Sequence, residues 1–243
     1  MKMRTALMVV LSLCLPAAVR AQDVPELPAP TALGGLNLIV GVPTGEFRDY
    51  IDAGVGLNAN LVVPIRRGSP LAIRADIGFL VYGSESRRVC FSETVGCLIQ
   101  LDLTTTNSIA MGSIGPQLMA TSGRIRPYVN GGIGFGYFFT QSSVSGTSDD
   151  EDFARTTNQD DATLAWMAGG GLLWQVSNGR TPVAIDIGTR YHGNGNVEYL
   201  KEGDITENPD GSVEINPTRS NANLFTINLG VSIGFRPGMS GGN

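Results

Sequence analysis

"LFTINLGVSIGF", residues 224–235, decides the fold, because apolar residues alternate with small or polar ones along its whole length. The apolar set is Phe225, Ile227, Leu229, Val231, Ile233 and Phe235. Strict alternation places successive side chains on opposite faces of a β-strand. The stretch therefore predicts a strand with one apolar face and one face suited to water.

The same two-residue period recurs along most of the chain and predicts seven further strands. They lie at 34–42, 53–64, 71–82, 101–119, 126–140, 162–176 and 182–192. The alternation is least regular in 101–119, where we expect the phase to slip near Met111. The strands account for most of residues 34–236, so an all-β fold is predicted.

The connections between these strands alternate between long and short. The short ones, at 66–70, 121–125 and 177–181, combine Gly with Ser or Asn, which favour tight turns. The others span 43–52, 83–100, 141–161 and 193–222, and three of these four are long and polar. We expect short turns at one end of the sheet and long loops at the other.

Eight antiparallel strands of this kind must close into a ring if they lie in hydrocarbon, because every backbone N–H and C=O then needs a partner. Most of the strands meet the ~9–11 residues that a tilted membrane-spanning strand requires. We therefore predict an eight-stranded antiparallel up-and-down transmembrane β-barrel with short periplasmic turns and long extracellular loops.

The N-terminus predicts export. Residues 1–21 combine basic Lys2 and Arg4 with a short apolar stretch and the small residues of "VRA", which is the pattern of a cleaved signal peptide. We assign 22–33 to a periplasmic lead-in, 34–236 to the barrel and 237–243 to a C-terminal tail. A lipoprotein signal ending at Cys14 is disfavoured by Leu13 before it.

Charge and cysteine content narrow the partners further. Cleavage after residue 21 removes three of the 17 basic residues and none of the 22 acidic ones, so the mature net charge is −8. That charge argues against nucleic acid as a partner.

Cys90 and Cys97 remain, and in an oxidising compartment they are expected to form a local disulfide, with two free thiols as the alternative.

Four segments carry a resemblance to a known family. They are "VGVPTGEFRDYIDAGVGLNANL" (40–61), "RPYVNGGIGFGYFF" (126–139), "DIGTRYHGNGNVEYL" (186–200) and the closing strand that ends in Phe235. With them the mature chain resembles the small eight-stranded outer-membrane barrels of the OmpA, OmpX and opacity-protein kind. In that family the closing strand ends at the C-terminus, whereas "RPGMSGGN" follows Phe235 here.

The resemblance implies a bacterial outer-membrane location and a structural or surface-interaction role. Its implied partners are outer-membrane lipids, lipopolysaccharide, the barrel-assembly machinery and an unidentified extracellular partner. A monomer without a cofactor is expected. Two alternatives stay open: a narrow porin-like channel for small solutes or ions, and a soluble periplasmic binding barrel of the lipocalin kind.

Strand parity predicts that the apolar set of 224–235 faces outward to lipid, and it predicts which polar side chains face the barrel interior. They are Asn58, Asn60, Arg74, Asp76, Asp186, Arg190 and Asn228. The third and seventh strands lie opposite each other in a ring of eight, so Arg74 and Asp76 should face Asp186 and Arg190. Because buried charge must be paired, we predict an ionic plug across the lumen, with an ion path as the alternative.

Other candidate sites are weaker. His192, the only histidine, lies in "RYHGNGN" without a neighbouring nucleophile, so we expect no enzymatic activity. The acidic residues at 149–152 and 160–161 could bind Ca²⁺ or Mg²⁺, although a solvated loop is the simpler interpretation and no metal site is predicted. "NPDG" at 208–211 predicts the tip of a hairpin.

Aromatic residues predict two belts at the membrane interfaces. Tyr128, Trp174 and Phe235 fall near the turn end of their strands. A second set falls near the loop end and consists of Phe79, Tyr82, Tyr137 and Phe139.

Overall fold

The computed structural model describes residues 30–90, 100–146, 152–179, 181–201, 203–207 and 213–236. The signal peptide at 1–21, all but the last residues of the lead-in at 22–33 and the tail at 237–243 lie outside these ranges. The domain boundaries therefore stay predictions.

Twelve strands are present in the described residues, eight long ones and four short ones. The long strands are β1 Ala32–Pro43, β2 Gly54–Pro64, β3 Leu71–Cys90, β4 Gln100–Met119, β5 Ile125–Gly146, β6 Asp152–Ser177, β7 Val183–Asn194 and β12 Leu224–Phe235. The short strands are β8 Asn196–Tyr199, β9 Ile205–Glu207, β10 Val213–Ile215 and β11 Thr218–Asn221.

The eight long strands form one closed ring, in the order β1–β12–β7–β6–β5–β4–β3–β2. Ala32 pairs with Phe235 and Pro43 pairs with Leu224, so β1 and β12 are joined antiparallel along their full length. All the other neighbouring pairs in the ring are antiparallel too. The predicted eight-stranded antiparallel barrel is confirmed.

The apolar face of each strand points outward. Leu164 is 86% exposed, Ile77 74% and Ile133 72%, whereas Asn37 and Asn228 on the opposite face are fully buried. The predicted outer set of the closing strand is also on the outside: Phe225 is half-buried and Ile227, Leu229, Val231, Ile233 and Phe235 are exposed. The fold is thus inverted relative to a protein with an apolar core and a polar surface.

Two predicted loops are mostly strand. β3 continues to Cys90 and β4 begins at Gln100, although the sequence predicts a loop over 83–100. Likewise β5 reaches Gly146 and β6 begins at Asp152, within the predicted loop 141–161. Backbone pairing continues there while the hydrophobic alternation stops, because these extensions have polar residues on both faces.

The phase slip expected near Met111 is wrong. Residues 101–114 of β4 pair with β5 without a shift, and the irregularity lies instead in β3, between Val81 and Gly83. The alternation looks irregular because Ile109 and Met111 are apolar yet face inward, while small Ala110 and Gly112 face outward.

Glycine gives the two described hairpin turns their shape. Gly68 has φ 73° in the turn from β2 to β3, and Gly123 has φ 97° in the turn from β4 to β5. A side chain is strained at such angles. Both turns are predicted as tight from their Gly and Ser content.

The remaining loops fold back over the barrel. A 3₁₀ helix, Gly45–Asp49, follows β1. In the last loop β8 pairs with β11, and β9 pairs with β10. The predicted hairpin tip at 208–211 lies between β9 and β10, outside the described residues. Within the described residues, no helix is both long and apolar enough to cross a membrane.

Candidate functional site: the layered lumen

The centre of the barrel holds an ion pair on β3. Arg74 and Asp76 are two residues apart on the inward face, and the guanidinium contacts the carboxylate with two parallel hydrogen bonds. Arg74 Nε donates to Asp76 Oδ2 at 2.8 Å, and Nη2 donates to Oδ1 at 2.9 Å. Arg74 Nη1 also donates to Gln117 Oε1 on β4 at 3.0 Å. Both charged residues are buried, so the bidentate geometry compensates for lost hydration.

The opposite wall contributes a second cation to the same carboxylate. Nη1 of Arg190, on β7, lies 3.2 Å from Asp76 Oδ1. The same Nη1 donates a hydrogen bond to Asn58 Oδ1 at 3.4 Å. β7 and β3 are four places apart in the ring, as the sequence predicted. The structure therefore brings Arg74, Asp76, Arg190 and Asn58 into one cluster that spans the lumen.

Asp186 balances the charge of this cluster without pairing directly with an arginine. Its Oδ1 accepts a hydrogen bond from the Tyr128 hydroxyl at 2.7 Å, and its Oδ2 has no partner among the described residues. The Tyr128 ring lies 5.7 Å from the Arg74 guanidinium carbon, within cation–π range. Two cations and two anions thus share the interior, linked by a phenol that was not predicted to be there.

The placement of two tyrosines in the aromatic belts is wrong. Tyr128 is 3% exposed and Tyr82 is 7% exposed, and both point into the barrel. Strand parity predicts the inward orientation of both tyrosines, because Tyr128 has the same parity as inward Asn130, and Tyr82 has the same parity as Arg74 and Asp76. The other predicted belt residues lie on the outer surface: Trp174, Phe235, Phe79, Tyr137 and Phe139.

Asparagine amides fill the space beside the ionic cluster. Asn60 and Asn228 are buried as predicted, and Asn37 joins them from β1. Neither amide atom of Asn37 or Asn228 has a partner among the described residues. Asn228 and Arg190 line a cavity of about 20 Å³, which accommodates about one water molecule.

Above this polar layer, at the loop end, the lumen is closed by aromatic side chains. Phe47, from the 3₁₀ helix of the first loop, makes edge-to-face contacts with Tyr82, Phe138 and Tyr199 at centroid distances of 5.8, 6.1 and 5.0 Å. We call the buried set the aromatic cap; its further members are Ile39, Ile51, Leu80, Ile109, Val197, Ala222 and Leu224.

Hydrogen bonds tie the cap to the last loop. The Tyr199 hydroxyl lies 2.9 Å from Ser220 Oγ, and the Tyr82 hydroxyl donates to the Leu200 carbonyl at 3.3 Å. Burial raises the pKa of Tyr199 above its ordinary value, so the neutral phenol is favoured in the closed loop. No local signal in the sequence predicts this cap, because Phe47 and Tyr199 lie in predicted loops.

A second apolar layer closes the turn end. It consists of buried Leu33, Val62, Ala72, Met119, Tyr128, Leu173 and Ala184. The lumen therefore has three layers along its axis: the aromatic cap, the ionic layer and this turn-end layer.

His192 faces inward, as parity predicted, and contacts a hydroxyl that the sequence did not suggest. Its Nε2 lies 3.2 Å from Thr226 Oγ1 on β12. Thr226 is 1% exposed and its hydroxyl is also within 3.4 Å of the Arg190 carbonyl. His192 and Thr226 both line the small cavity beside Arg190.

The acidic segment is partly strand. Asp160 accepts a hydrogen bond from the Tyr137 hydroxyl at 3.1 Å, and Asp161 accepts one from the Glu198 backbone N–H at 2.9 Å. No group of three or more His, Cys, Asp and Glu side chains in the described ranges could hold a metal ion. Residues 149–151 lie outside those ranges. So does Cys97, together with the side chain of Cys90, so the disulfide stays a prediction.

Beyond the ring, four strands continue as a wall. We define the extended wall as 83–90 of β3, 100–107 of β4, 140–146 of β5 and 152–163 of β6. Hydroxyl side chains link its strands: Thr104 Oγ1 donates to Ser86 Oγ at 3.2 Å, and Thr105 Oγ1 lies 2.8 Å from Ser142 Oγ. Polar residues on both faces indicate that the wall stands in water.

The fold and the lumen together define a class of protein: an eight-stranded antiparallel barrel with an apolar exterior and buried polar and charged residues inside. No family model matches the chain, and no curated protein matches it. Among solved structures, the chain is similar to a major outer membrane protein from Thermus thermophilus, at 12% identity and TM-score 0.45, covering 83% of this chain and 99% of that one.

Two further structures are similar at the same level. One is Ail, the attachment invasion locus protein of Yersinia pestis, at 12% identity and TM-score 0.42, covering 85% of this chain and 99% of that one. The other is the outer membrane protein AlkL, at 16% identity and TM-score 0.41, covering 93% of this chain and 99% of that one. The barrel assignment itself rests on the closed strand ring described above.

Proposed function

We propose that this chain is an integral protein of the bacterial outer membrane whose lumen is closed and whose loop end meets the outside of the cell. The observation that carries the proposal is the outer surface of the ring. Apolar side chains on all eight strands are exposed there, an area far larger than the apolar patches that soluble monomers tolerate. Acyl chains cover such a surface without cost.

The closed lumen is supported by its three layers. A conducting path would have to pass the aromatic cap, the ionic layer and the turn-end layer, each of which contains residues under 8% exposed. Opening the ionic layer would separate Asp76 from two guanidinium groups at 2.8 and 3.2 Å. Such a separation is costly in a medium of low dielectric constant.

The surface-interaction role is supported by the extended wall. The part of β6 in the wall, 152–163, has 12 residues and lies beyond the pairing of β6 with β7, and it corresponds to roughly 40 Å of strand. Such a wall is more than a lipid-spanning barrel needs. The unidentified extracellular partner, like the lipopolysaccharide and assembly-machinery contacts, is part of this proposal.

A narrow channel is the second candidate, and the cavity beside Arg190 is the observation that favours it. Its 20 Å³ is enough for about one water molecule but not for a continuous path. A lipocalin-like binding barrel requires an apolar interior at mid-height, where this barrel has two arginines and two aspartates. The channel is therefore the alternative that an experiment must distinguish.

Membrane integration is tested by gel mobility of the membrane fraction, with and without heating. A detergent-stable barrel migrates differently before and after heat denaturation, and we expect that difference here. If the mature chain stayed dissolved in the absence of detergent, that result would contradict the proposal.

Closure is tested by conductance in planar bilayers, where we expect the wild-type chain to show no steps. Asp186→Ala should lower stability, because it removes one of two anions that balance two buried cations. Regular conductance steps in the wild type would favour the channel. An Asp186→Ala variant with unchanged stability would remove the basis of the ionic plug.

Orientation is tested by labelling intact cells with a membrane-impermeant maleimide, in a background with Cys90→Ser and Cys97→Ser. Ser86→Cys, at an exposed position of the extended wall, should react. Ser122→Cys, at an exposed position of the turn from β4 to β5, is the matched control and should not. Labelling in the opposite order would contradict the assignment of the loop end to the outside.

A further inference from the structure

Charge is separated between the two ends of the barrel, although the chain as a whole is acidic. Eighteen of the 22 acidic residues lie in the loop-side segments 43–53, 83–107, 141–163 and 195–223. The three turn segments, 64–71, 119–126 and 177–183, contain five arginines and no acidic residue, and Arg236 follows the closing strand. Asp23 and Glu26 of the lead-in are the two acidic residues assigned to that side, against six arginines, so the turn end is a cationic face on an anionic protein.

These arginines begin where the apolar exterior ends. Ile65, Ile125 and Phe235 are 56%, 59% and 54% exposed on the outer surface. Each is adjacent in sequence to an arginine, namely Arg66, Arg124 and Arg236 respectively. Guanidinium groups one residue beyond an apolar belt lie at the depth of lipid headgroups.

The four turn arginines that the structure describes form no ion pair with the described residues. Arg66, Arg67 and Arg124 are exposed and form no ion pair with the described residues. Arg126 is 7% exposed, and its Nε has no partner there. Arg236 donates hydrogen bonds to the Gly179 carbonyl and to Asn178 Oδ1, in the turn from β6 to β7, and forms no ion pair with the described residues. Guanidinium groups without a carboxylate partner at one end of the barrel are suited to an external oxyanion.

We propose that the turn end of the barrel is a binding face for the phosphate groups of anionic lipids in the leaflet that it contacts. Guanidinium groups bind phosphate oxygens bidentately and are weakly hydrated, which suits them to this position. A lipid leaflet is favoured over a soluble acidic partner because the arginines adjoin the belt instead of forming a patch apart from it. This inference rests on the proposed membrane location.

The two tryptophans allow a direct test, because each reports on one end of the barrel. Trp174 pairs with Ile125, and the Arg124 carbonyl accepts a hydrogen bond from the Gln175 N–H at 2.7 Å, so Trp174 lies beside the arginine face. Trp166 lies eight residues earlier in β6, toward the loop end. Trp166→Phe and Trp174→Phe therefore give a turn-end reporter and a loop-end reporter.

Each reporter is reconstituted in phosphatidylcholine vesicles that contain either brominated phosphatidylglycerol or brominated phosphatidylcholine at equal mole fraction. We expect the anionic lipid to be enriched at the turn-end reporter, on the order of fivefold for each arginine contact at low salt. The enrichment should be lost in 1 M salt, where the screening length is about 3 Å. The loop-end reporter should show no preference.

The test variant replaces three exposed turn arginines, as Arg66→Gln, Arg67→Gln and Arg124→Gln, and should lose the preference. The matched control removes the same charge at the loop end, as Arg48→Gln, Arg88→Gln and Arg219→Gln, and should keep it. Equal quenching by both lipids, or a preference that survives the turn substitutions, would overturn the inference and leave the barrel intact. If neither lipid quenched either reporter, the proposed membrane location would fail instead.

Discussion

Asp76 is the residue on which the ionic layer depends, and its replacement by alanine is the most informative single change. One carboxylate contacts Arg74 at 2.8 Å and Arg190 at 3.2 Å, and all three side chains are 6% exposed or less. Asp76→Ala leaves two buried cations that face one remaining anion, Asp186.

The expected cost follows from that geometry. Removing one partner of a buried ion pair costs about 3–5 kcal/mol, because the remaining charge is left uncompensated. With a urea m-value of about 2 kcal/mol/M, the unfolding midpoint should fall by about 2 M. Asp76→Asn keeps one acceptor oxygen and the side-chain shape, so it should cost less than alanine.

The assay is urea unfolding of the reconstituted barrel, followed by tryptophan fluorescence and by the heat-dependent gel shift. Asp102→Ala is the matched control, because Asp102 forms an exposed ion pair with Arg88 at 3.6 Å. Exposed pairs contribute about 0–1 kcal/mol. A loss for Asp76→Ala no larger than that of the control would refute the assignment of a buried ionic layer. Conductance should stay absent, since the two apolar layers remain in place.

Three further outcomes follow from the structure. Ile227→Arg should lower the free energy of unfolding by ~2–4 kcal/mol at mid-bilayer depth. Asn228→Ala should lower it less, because the Asn228 amide has no partner in the described residues. Urea midpoints in the opposite order would mean that the inner and outer faces of β12 are exchanged. Phe47→Ala should destabilise the aromatic cap by about 3–5 kcal/mol and increase proteolysis of the first loop. Unchanged protection from proteolysis would show that the cap does not hold that loop. Burial raises the folded-state pKa of Tyr199, so its contribution to the stability of the closed loop is complete below the ordinary pKa near 10 and is lost as pH rises through the folded-state pKa. Proteolysis of the loop should therefore increase at alkaline pH, and the absence of an increase would contradict this. Tyr199→Phe should abolish the pH dependence of proteolysis.

Several features of the barrel could be predicted because they are properties of single strands. Alternation assigns each residue of 224–235 to a face, and the outer face is apolar as expected. Parity also identified Arg74, Asp76 and Arg190 as inward, and ring geometry placed β3 opposite β7. A two-residue period contains this information locally.

The incorrect predictions have two causes: the absence of apolar alternation in the extended wall, and the use of distance from the strand ends in place of parity for two tyrosines. The extended wall has polar residues on both faces, so its sequence predicts loops over 83–90 and 152–161 although their backbones pair. Distance from the strand ends assigns Tyr82 and Tyr128 to the belts, although parity already places both inside. An aromatic ring is chemically suited to a membrane-interface belt or to the lumen, and only its position in the strand alternation distinguishes the two.

The sequence by itself determined the number of strands in the ring, the inverted arrangement of faces and the charge difference between turns and loops, because each depends on local period and order. Only the tertiary structure decided which groups meet inside. Asp76 contacts Arg190 across the ring, Tyr128 contacts Asp186, and Phe47 returns from a loop to close the end. Those contacts join residues 58 to 152 positions apart in the chain, and their geometry exists only once the ring has closed.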